Sequence, residues 1–328
     1  MRKGRVLSGM RPTGRLHLGH LYGALENWRR LQDAYECYFF VADWHALTSD
    51  YADAGHLREY MHEIVLDWLS AGIDPEKAVL FIQSRLPEHA ELYLLFSMIT
   101  PLPWLERNPT YKEQLREVTT KDLSTFGFLG YPVLQAADIL IYQANFVPVG
   151  VDQLPHVELT REIARRFNHL YTPIFTIPEA LLTEFPKIPG TDGRKMSKSY
   201  NNCIYLSDPP AVVEEKIKPM VTDPARVRRT DPGNPDVCPV YDLHKIFTPA
   251  EERQGYVVPG CRTAAIGCLD CKGVLLKHML PVLGPIAERR MTLAGQAGRV
   301  EEILAEGTER ARKVARATLA AAREAIGI

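Results

Sequence analysis

The sequence predicts an α/β fold in which a doubly wound parallel sheet is followed by a bundle of α-helices. Three observations carry that expectation. Residues 6–9, 37–43 and 78–83 are short apolar runs set apart by helical stretches, the pattern of parallel strands covered on both faces. A glycine-punctuated turn leads from the first run into a helix, as in Rossmann-like sheets, whose ligands lie at the carboxyl ends of the strands. Beyond residue 200 the strand signals fade and helical patterns take over.

The elements follow in order. Val6-Leu7-Ser8-Gly9 opens the sheet, and residues 12–20 (PTGRLHLGH) form the turn before a helical pattern over 21–31. Such a turn gathers unpaired backbone N–H groups and the positive end of a helix dipole, where a phosphate binds. Gly14 and Gly19 let the backbone approach, and His17 and His20, three apart, face the same way. Residues 37–43 (CYFFVAD) make a second strand with Cys37 as core filler, 57–71 a helix closed by Gly72, and 78–83 (AVLFIQ) a third strand. This topology puts Asp43, His45 and Gln83 at the edge of a site. A Pro-rich break at 101–109 holds Trp104-Leu105-Glu106-Arg107, and 132–140 (PVLQAADIL) is a helix with Asp138 among Ala, Ile and Leu. By pattern alone Asp138 points outward, because a charge on an apolar face is costly unless paired or used.

A Gly-rich loop, residues 190–194 (GTDGR), precedes Lys195-Met196-Ser197-Lys198-Ser199. Basic loops that close over a triphosphate neutralise charge that develops in nucleotidyl transfer. Helical patterns then cover 209–218, 241–247, 274–306 and 308–326. The last carries Arg310, Arg312, Lys313, Arg316 and Arg323 opposite an apolar face, and Arg226, Arg228 and Arg229 cluster earlier. Each set is either a solvated face or a contact for RNA phosphates.

With 328 residues, 46% of them hydrophobic and 24% charged, the chain has material for two domains. No apolar run reaches the length of a membrane span, and the first ten residues lack the apolar core of a signal peptide, so the expected location is cytoplasmic. A net charge of −1 gives no whole-molecule attraction for RNA, which leaves local basic patches for that purpose. Of six cysteines, Cys238, Cys261, Cys268 and Cys271 are confined to one region as C-x22-C-x6-C-x2-C. Four thiolates suit Zn²⁺ and an iron–sulfur cluster equally in ligand type, although structural zinc sites more often show two close pairs. Cys203 stands apart and is expected in the core.

His17-Leu18-Gly19-His20 together with Lys195-Met196-Ser197-Lys198-Ser199 resembles the two signature motifs of class I aminoacyl-tRNA synthetases. Residues 104–112, 136–140 (AADIL), 147–153 (VPVGVDQ) and 156–161 (HVELTR) are similar to the tryptophanyl-tRNA synthetase family, a likeness that spans essentially the whole chain. The four-cysteine spacing resembles a bacterial subgroup of that family holding a [4Fe–4S] cluster beside the anticodon site, which favours the cluster, with zinc as the alternative.

The resemblance implies a catalytic domain over 1–200 for ATP and tryptophan and a helical anticodon-binding domain over 201–328. It implies ATP held by Arg11, Pro12, Thr13, Gly19, His20, Gly150, Val151, Asp152, Ile188, Lys195, Met196, Ser197, Lys198 and Ser199, with Mg²⁺ on the phosphates. Lys195, Lys198, His17 and His20 are the expected catalytic residues. Tryptophan would meet Asp138, Gln135, His45, Gln153 and Leu7. Asp138 is the acceptor for the indole N–H, a group that can only donate. Tryptophan, ATP and tRNA(Trp) are the implied partners, and a symmetric homodimer the implied assembly. The chain departs from many relatives at Gln135, where Met is common, and at Val151, where Glu is. A tyrosine-specific synthetase, a stand-alone adenylyltransferase of the H-x-G-H type and a non-catalytic paralogue are the rival readings.

Overall fold

The computed structural model describes residues 3–117, 121–182 and 187–328. Strand β1 (Arg5–Met10) runs into the turn, and the chain enters a helical stretch at Leu18–His20, passes a π turn at Leu21–Leu25 and continues as α1 (Glu26–Ala34). The helix starts three residues before the expected 21 because His17 caps it: its Nδ1 accepts from the Gly19 N–H at 3.1 Å, while the His17 N–H donates to His20 Nδ1 at 3.3 Å. Then come β2 (Glu36–Val41), α2 (Asp43–Asp50), α3 (Leu57–Ser70), β3 (Ala78–Ile82) and α4 (Glu88–Ile99). The Pro-rich break holds two short helices, α5 (Leu102–Glu106) and α6 (Pro109–Glu117). Helix α7 (Phe126–Ile141) is followed by β4 (Phe146–Val149), α8 (Leu154–Leu170) and β5 (Glu179–Leu182). The later helices are α9 (Pro210–Ile217), α10 (Pro239–Phe247), α11 (Val258–Arg262), α12 (Cys268–Ala294) and α13 (Arg299–Ile326).

Among the described residues the strands form one parallel sheet in the order β3-β2-β1-β4-β5, with Val6 opposite Cys37 and Cys37 opposite Ala78. Strand order reverses between β1 and β4, the switch point at which open α/β sheets bind ligands. Contacts divide the chain into two compact units: Met1–Gly14, Asn27–Glu184 and Ala297–Ile328 make the first, Arg15–Glu26 and Phe185–Gln296 the second. Both signature motifs fall in the second unit and the final helix in the first, a grouping by contact rather than by task. No described helix is long and apolar enough to cross a membrane.

In the first unit the sheet is sandwiched by helices, with Trp68, Phe39, Phe81, Phe96 and Phe167 fully buried. Helix α13 lays Ala311, Ala315 and Ala322, all buried, on this core. The sequence expects a helix over 274–306 and a break at Gly307; the break instead falls at Gly298, whose φ is +81°. Gly307 is mid-helix because it faces edge strand β3: a Cβ there would overlap the Leu80 carbonyl oxygen. Four of the basic side chains of α13 reach neighbouring elements of the first unit, while Lys313 is exposed. Arg310 donates to the Pro75 carbonyl (2.9 Å) and Arg312 to the Arg85 carbonyl (2.8 Å), while Arg316 pairs with Glu88 (3.0 Å) and Arg323 with Glu91 (2.7 Å).

Candidate active site

In the first unit, α7 carries Tyr131, Gln135 and Asp138 at i, i+4 and i+7, one face of the helix. Asp138 does not point outward as its sequence pattern suggests: it is 1% exposed, and its charge is met by hydrogen bonds. Gln83 Nε2 donates to Oδ1 at 2.7 Å, His89 Nδ1 lies 2.7 Å from the same oxygen, and His45 Nε2 lies 2.7 Å from Oδ2. Burial alone would push this carboxyl up, but the hydrogen bonds from His45 and His89, and their charge, outweigh it and hold it below the usual range. His89 Nε2 in turn meets the Tyr142 hydroxyl at 2.7 Å. The His45 ring stands edge-on to Tyr131 at 6.4 Å between centroids, and Tyr131 bonds His156 Nε2 at 2.7 Å.

Of the other residues expected around tryptophan, Leu7 is buried on β1, Gln135 is half-buried, and Gln153 donates to Asp152 Oδ2 at 3.2 Å. Arg11, expected on ATP, bonds Ser49 Oγ and Asp50 Oδ2, each at 2.6 Å. Gly150 is buried at the end of β4, Val151 is exposed, Asp152 accepts from Thr110 Oγ1 through its carbonyl at 3.4 Å, Pro12 is buried and Thr13 exposed. Sequence reasoning missed His89 and Tyr142 entirely, since a lone His or Tyr on a helix carries no signal; Tyr142 lies one turn beyond Asp138.

In the second unit the first signature is stitched to the chain that follows the second. Leu18 N–H donates to the Ile204 carbonyl (3.1 Å), Leu206 N–H to the Leu16 carbonyl (2.9 Å), and His17 pairs with Tyr205 as an antiparallel bridge. The His17 and His20 rings are 4.0 Å apart. Burial, with the Lys198 charge, lowers His17 to about 4; burial, with His17 and Lys198, lowers His20 to about 3. Both are therefore neutral imidazoles at physiological pH, within reach of the Lys198 field. Lys195 is exposed on a hairpin in which Pro189 bridges Lys195, Gly190 N–H donates to the Arg194 carbonyl (2.7 Å) and Met196 N–H to the Ile188 carbonyl (3.0 Å). Ile188 and Met196 are buried, Ser197 half-buried and Ser199 exposed.

Asn202, 2% exposed, fixes this hairpin, and it too was not anticipated. Its Oδ1 accepts from the Ser197 N–H (2.8 Å), while its Nδ2 donates to Asp192 Oδ1 (2.7 Å) and the Lys195 carbonyl (3.2 Å). Gly190 makes room for it, since a Cβ there would collide with the Asn202 amide.

The four cysteines also belong to the second unit. Burial pushes the Cys271 thiol up to about 12, and Cys238, Cys261 and Cys268 each push it the same way. Two donors reach their sulfurs: His244 Nε2 lies 3.2 Å from Cys271 Sγ, and Arg226 Nη1 lies 3.9 Å from Cys261 Sγ. Among the described residues, however, no group of three or more His, Cys, Asp or Glu side chains is arranged to hold a metal ion. Arg226 is committed to the Ile266 carbonyl at 2.5 Å and buried, which leaves Arg228 and Arg229 at the surface. Cys37 and Cys203 are buried.

A parallel sheet with its switch point at β1, a helix capped by a histidine signature and a lysine-bearing hairpin define a class I synthetase. Residues 1–282 match the family model of tRNA synthetases class I (W and Y), and the chain belongs to that family. It is 57% identical over 325 residues to the tryptophan--tRNA ligase of Thermotoga maritima, covering 99% of both chains, and 47% identical to that of Aquifex aeolicus, covering 99% of this chain and 100% of the other. Among solved structures it is similar to the tryptophanyl-tRNA synthetase of Campylobacter jejuni complexed with ADP and tryptophan, with a TM-score of 0.88, 34% identity and coverage of 99% and 100%.

Proposed function

We infer that the chain is a tryptophan--tRNA ligase: it activates L-tryptophan with ATP to tryptophanyl adenylate and pyrophosphate, then transfers tryptophan to the 3′ end of tRNA(Trp). The observation that carries the reading within the fold is Asp138, a buried ionised acceptor lined up with Tyr131 and Gln135. Aliphatic and phenyl side chains offer it no donor, and a site built on a buried hydrogen bond rejects ligands lacking it by roughly 10⁴–10⁵-fold in favourable cases; a phenol O–H is also a donor, so tyrosine is refused by the shape of the pocket rather than by this carboxylate. His45, Gln135, Gln153 and Leu7 complete the amino-acid pocket.

The tryptophan carboxylate attacks the α-phosphate and pyrophosphate leaves, so the protein supplies alignment and charge rather than a nucleophile. Arg11, Pro12, Thr13, Gly19, Gly150, Val151, Asp152, Ile188, Met196, Ser197 and Ser199 are assigned to ATP. Neutral His17 and His20 donate N–H to phosphate oxygens without adding charge, and Lys195 and Lys198 stabilise the charge on the departing pyrophosphate, with Mg²⁺ on the phosphates. The two functional domains, 1–200 and 201–328, share activation and anticodon reading. The enzyme works as a cytoplasmic homodimer.

Cys238, Cys261, Cys268 and Cys271 would hold a [4Fe–4S] cluster, zinc being the alternative, which cross-links the loops around α11 and α12. Their confinement to one stretch of the sequence supports this, as do the N–H donors at Cys261 and Cys271. Anaerobically purified protein is then brown with about four irons per chain; colourless protein with stoichiometric zinc overturns it. Pyrophosphate exchange across all amino acids tests the activity itself. Tryptophan alone supports exchange, and exchange driven by tyrosine, or none, refutes the assignment.

A further inference from the structure

We propose that Gln83, His89 and Tyr142 are a positioning set that fixes one oxygen of Asp138, and that His45 is a displaceable partner on the other oxygen, yielding it to the substrate's indole N–H. The inference rests on the reading of Asp138 as the indole acceptor. Its basis is the unequal way the two oxygens are served. Oδ1 meets two donors from separate elements, Gln83 just after β3 and His89 on α4, each at 2.7 Å. All four residues of this relay are sealed: Gln83, His89 and Tyr142 are 0% exposed and Asp138 1%. The carboxylate can only accept, so His89 carries its proton on Nδ1, and the Tyr142 O–H, by donating to Nε2, holds the ring in that tautomer and orientation.

Oδ2 carries a different kind of bond. Its partner His45 sits on α2 with a side chain 12% exposed, so the imidazole can return its N–H to water when it leaves. A carboxylate accepts from several directions, but a buried one left without a donor costs the full desolvation of that oxygen. The empty pocket avoids this cost through His45. Tryptophan then exchanges one N–H for another, and the carboxylate keeps its number of donors throughout. A ligand of the same shape without an N–H cannot make the exchange: it either leaves His45 in its way or strands Oδ2.

The test compares tryptophan with its isostere carrying sulfur in place of the indole N–H, by pyrophosphate exchange. Tyr142→Phe keeps the ring and removes only the hydroxyl that holds His89 in place from behind. The expected result is a KM for tryptophan raised roughly 10-fold, as for a weakened hydrogen bond to a charged group, with kcat and the KM of the isostere unchanged. The preference for tryptophan over the isostere shrinks accordingly. Gln83→Met, which keeps length but donates nothing, gives the same reading should Tyr142→Phe not fold. In protein with ¹⁵N-labelled imidazoles, tryptophan moves the His45 Nε2 resonance and leaves that of His89 in place, and the isostere moves neither. A preference unchanged in both variants, or a His45 resonance indifferent to tryptophan, overturns the inference. Asp138→Asn separates the two levels. If Asp138→Asn keeps the full preference, the underlying assignment of Asp138 fails; if it loses the preference while Tyr142→Phe and Gln83→Met retain it, only the positioning set fails.

Discussion

Asp138 is 1% exposed and receives donors from three different elements, whereas Lys195 is exposed on a hairpin whose shape depends on one buried amide, Asn202. The first arrangement is over-determined: no single neighbour defines the position of the carboxylate. The second is tied by a few backbone bonds and one buried side chain, and it leaves the ammonium group at the surface. Recognition of a small apolar ligand by one polar atom needs a fixed acceptor in a dry site, where each hydrogen bond counts most. Handling of a departing pyrophosphate needs charges that arrive late and let go, and exposed charges on a short hairpin can do both.

That contrast can be broken at either end. The largest effect is expected from Asp138→Ala, which removes the acceptor and leaves buried donors without a partner. Tryptophan affinity falls by about 10²–10³-fold while ATP affinity is kept, measured by equilibrium binding of each ligand separately. Lys195→Ala acts on the other side of the comparison. It lowers the rate of adenylate formation by about 10²–10³-fold and leaves tryptophan affinity as it was; equal losses in both by pre-steady-state kinetics contradict a transition-state role.

Asn202→Ala sharpens the difference, because it touches neither substrate. Loss of the three hydrogen bonds of its amide loosens the hairpin, so turnover drops about 10-fold and trypsin cuts faster after Arg194 and Lys195, with tryptophan affinity unaltered. Gly190→Ala reproduces this by forcing the amide out.

The smallest effect is on acid stability. Burial lowers His17 to about 4, His20 to about 3 and His156 to about 4 from 6.5. Below pH 6.5 the unfolded chain therefore binds more protons than the folded one, and stability falls as pH drops from 6.5 toward 4. These groups contribute no slope above pH 7. A melting temperature that is flat from pH 7 to 8 and declines steadily from 6.5 to 4.5 is the expected profile.

How much of this was legible depended on whether function left a local pattern. The strands at 37–43 and 78–83 and the helix at 57–71 declared themselves through apolar runs and periodicity, and the structure places them within a residue or two. Strands β4 and β5, of four residues each, and helices α2, α4 and α8 were not assigned, for short edge pairing and helices with mixed faces give weak periodic signals. Asp138 illustrates the limit best. Its helix was evident, but its inward orientation follows from Gln83, His89 and His45, which lie 55, 49 and 93 residues away in sequence. Gly307 looked like a helix stop because its reason for being glycine lies on a strand elsewhere in the chain.

That glycine has a consequence for how the molecule is made. Strand β3 is at the border of the sheet, and the helix that shields it arrives late: Arg312 and its acceptor Arg85 are 227 residues apart. A nascent polypeptide that has reached only residue 296 already holds all five strands seen among the described residues, yet leaves the Leu80 main chain without its covering helix, an edge open to other unfinished chains. Docking of Gly307 closes that edge.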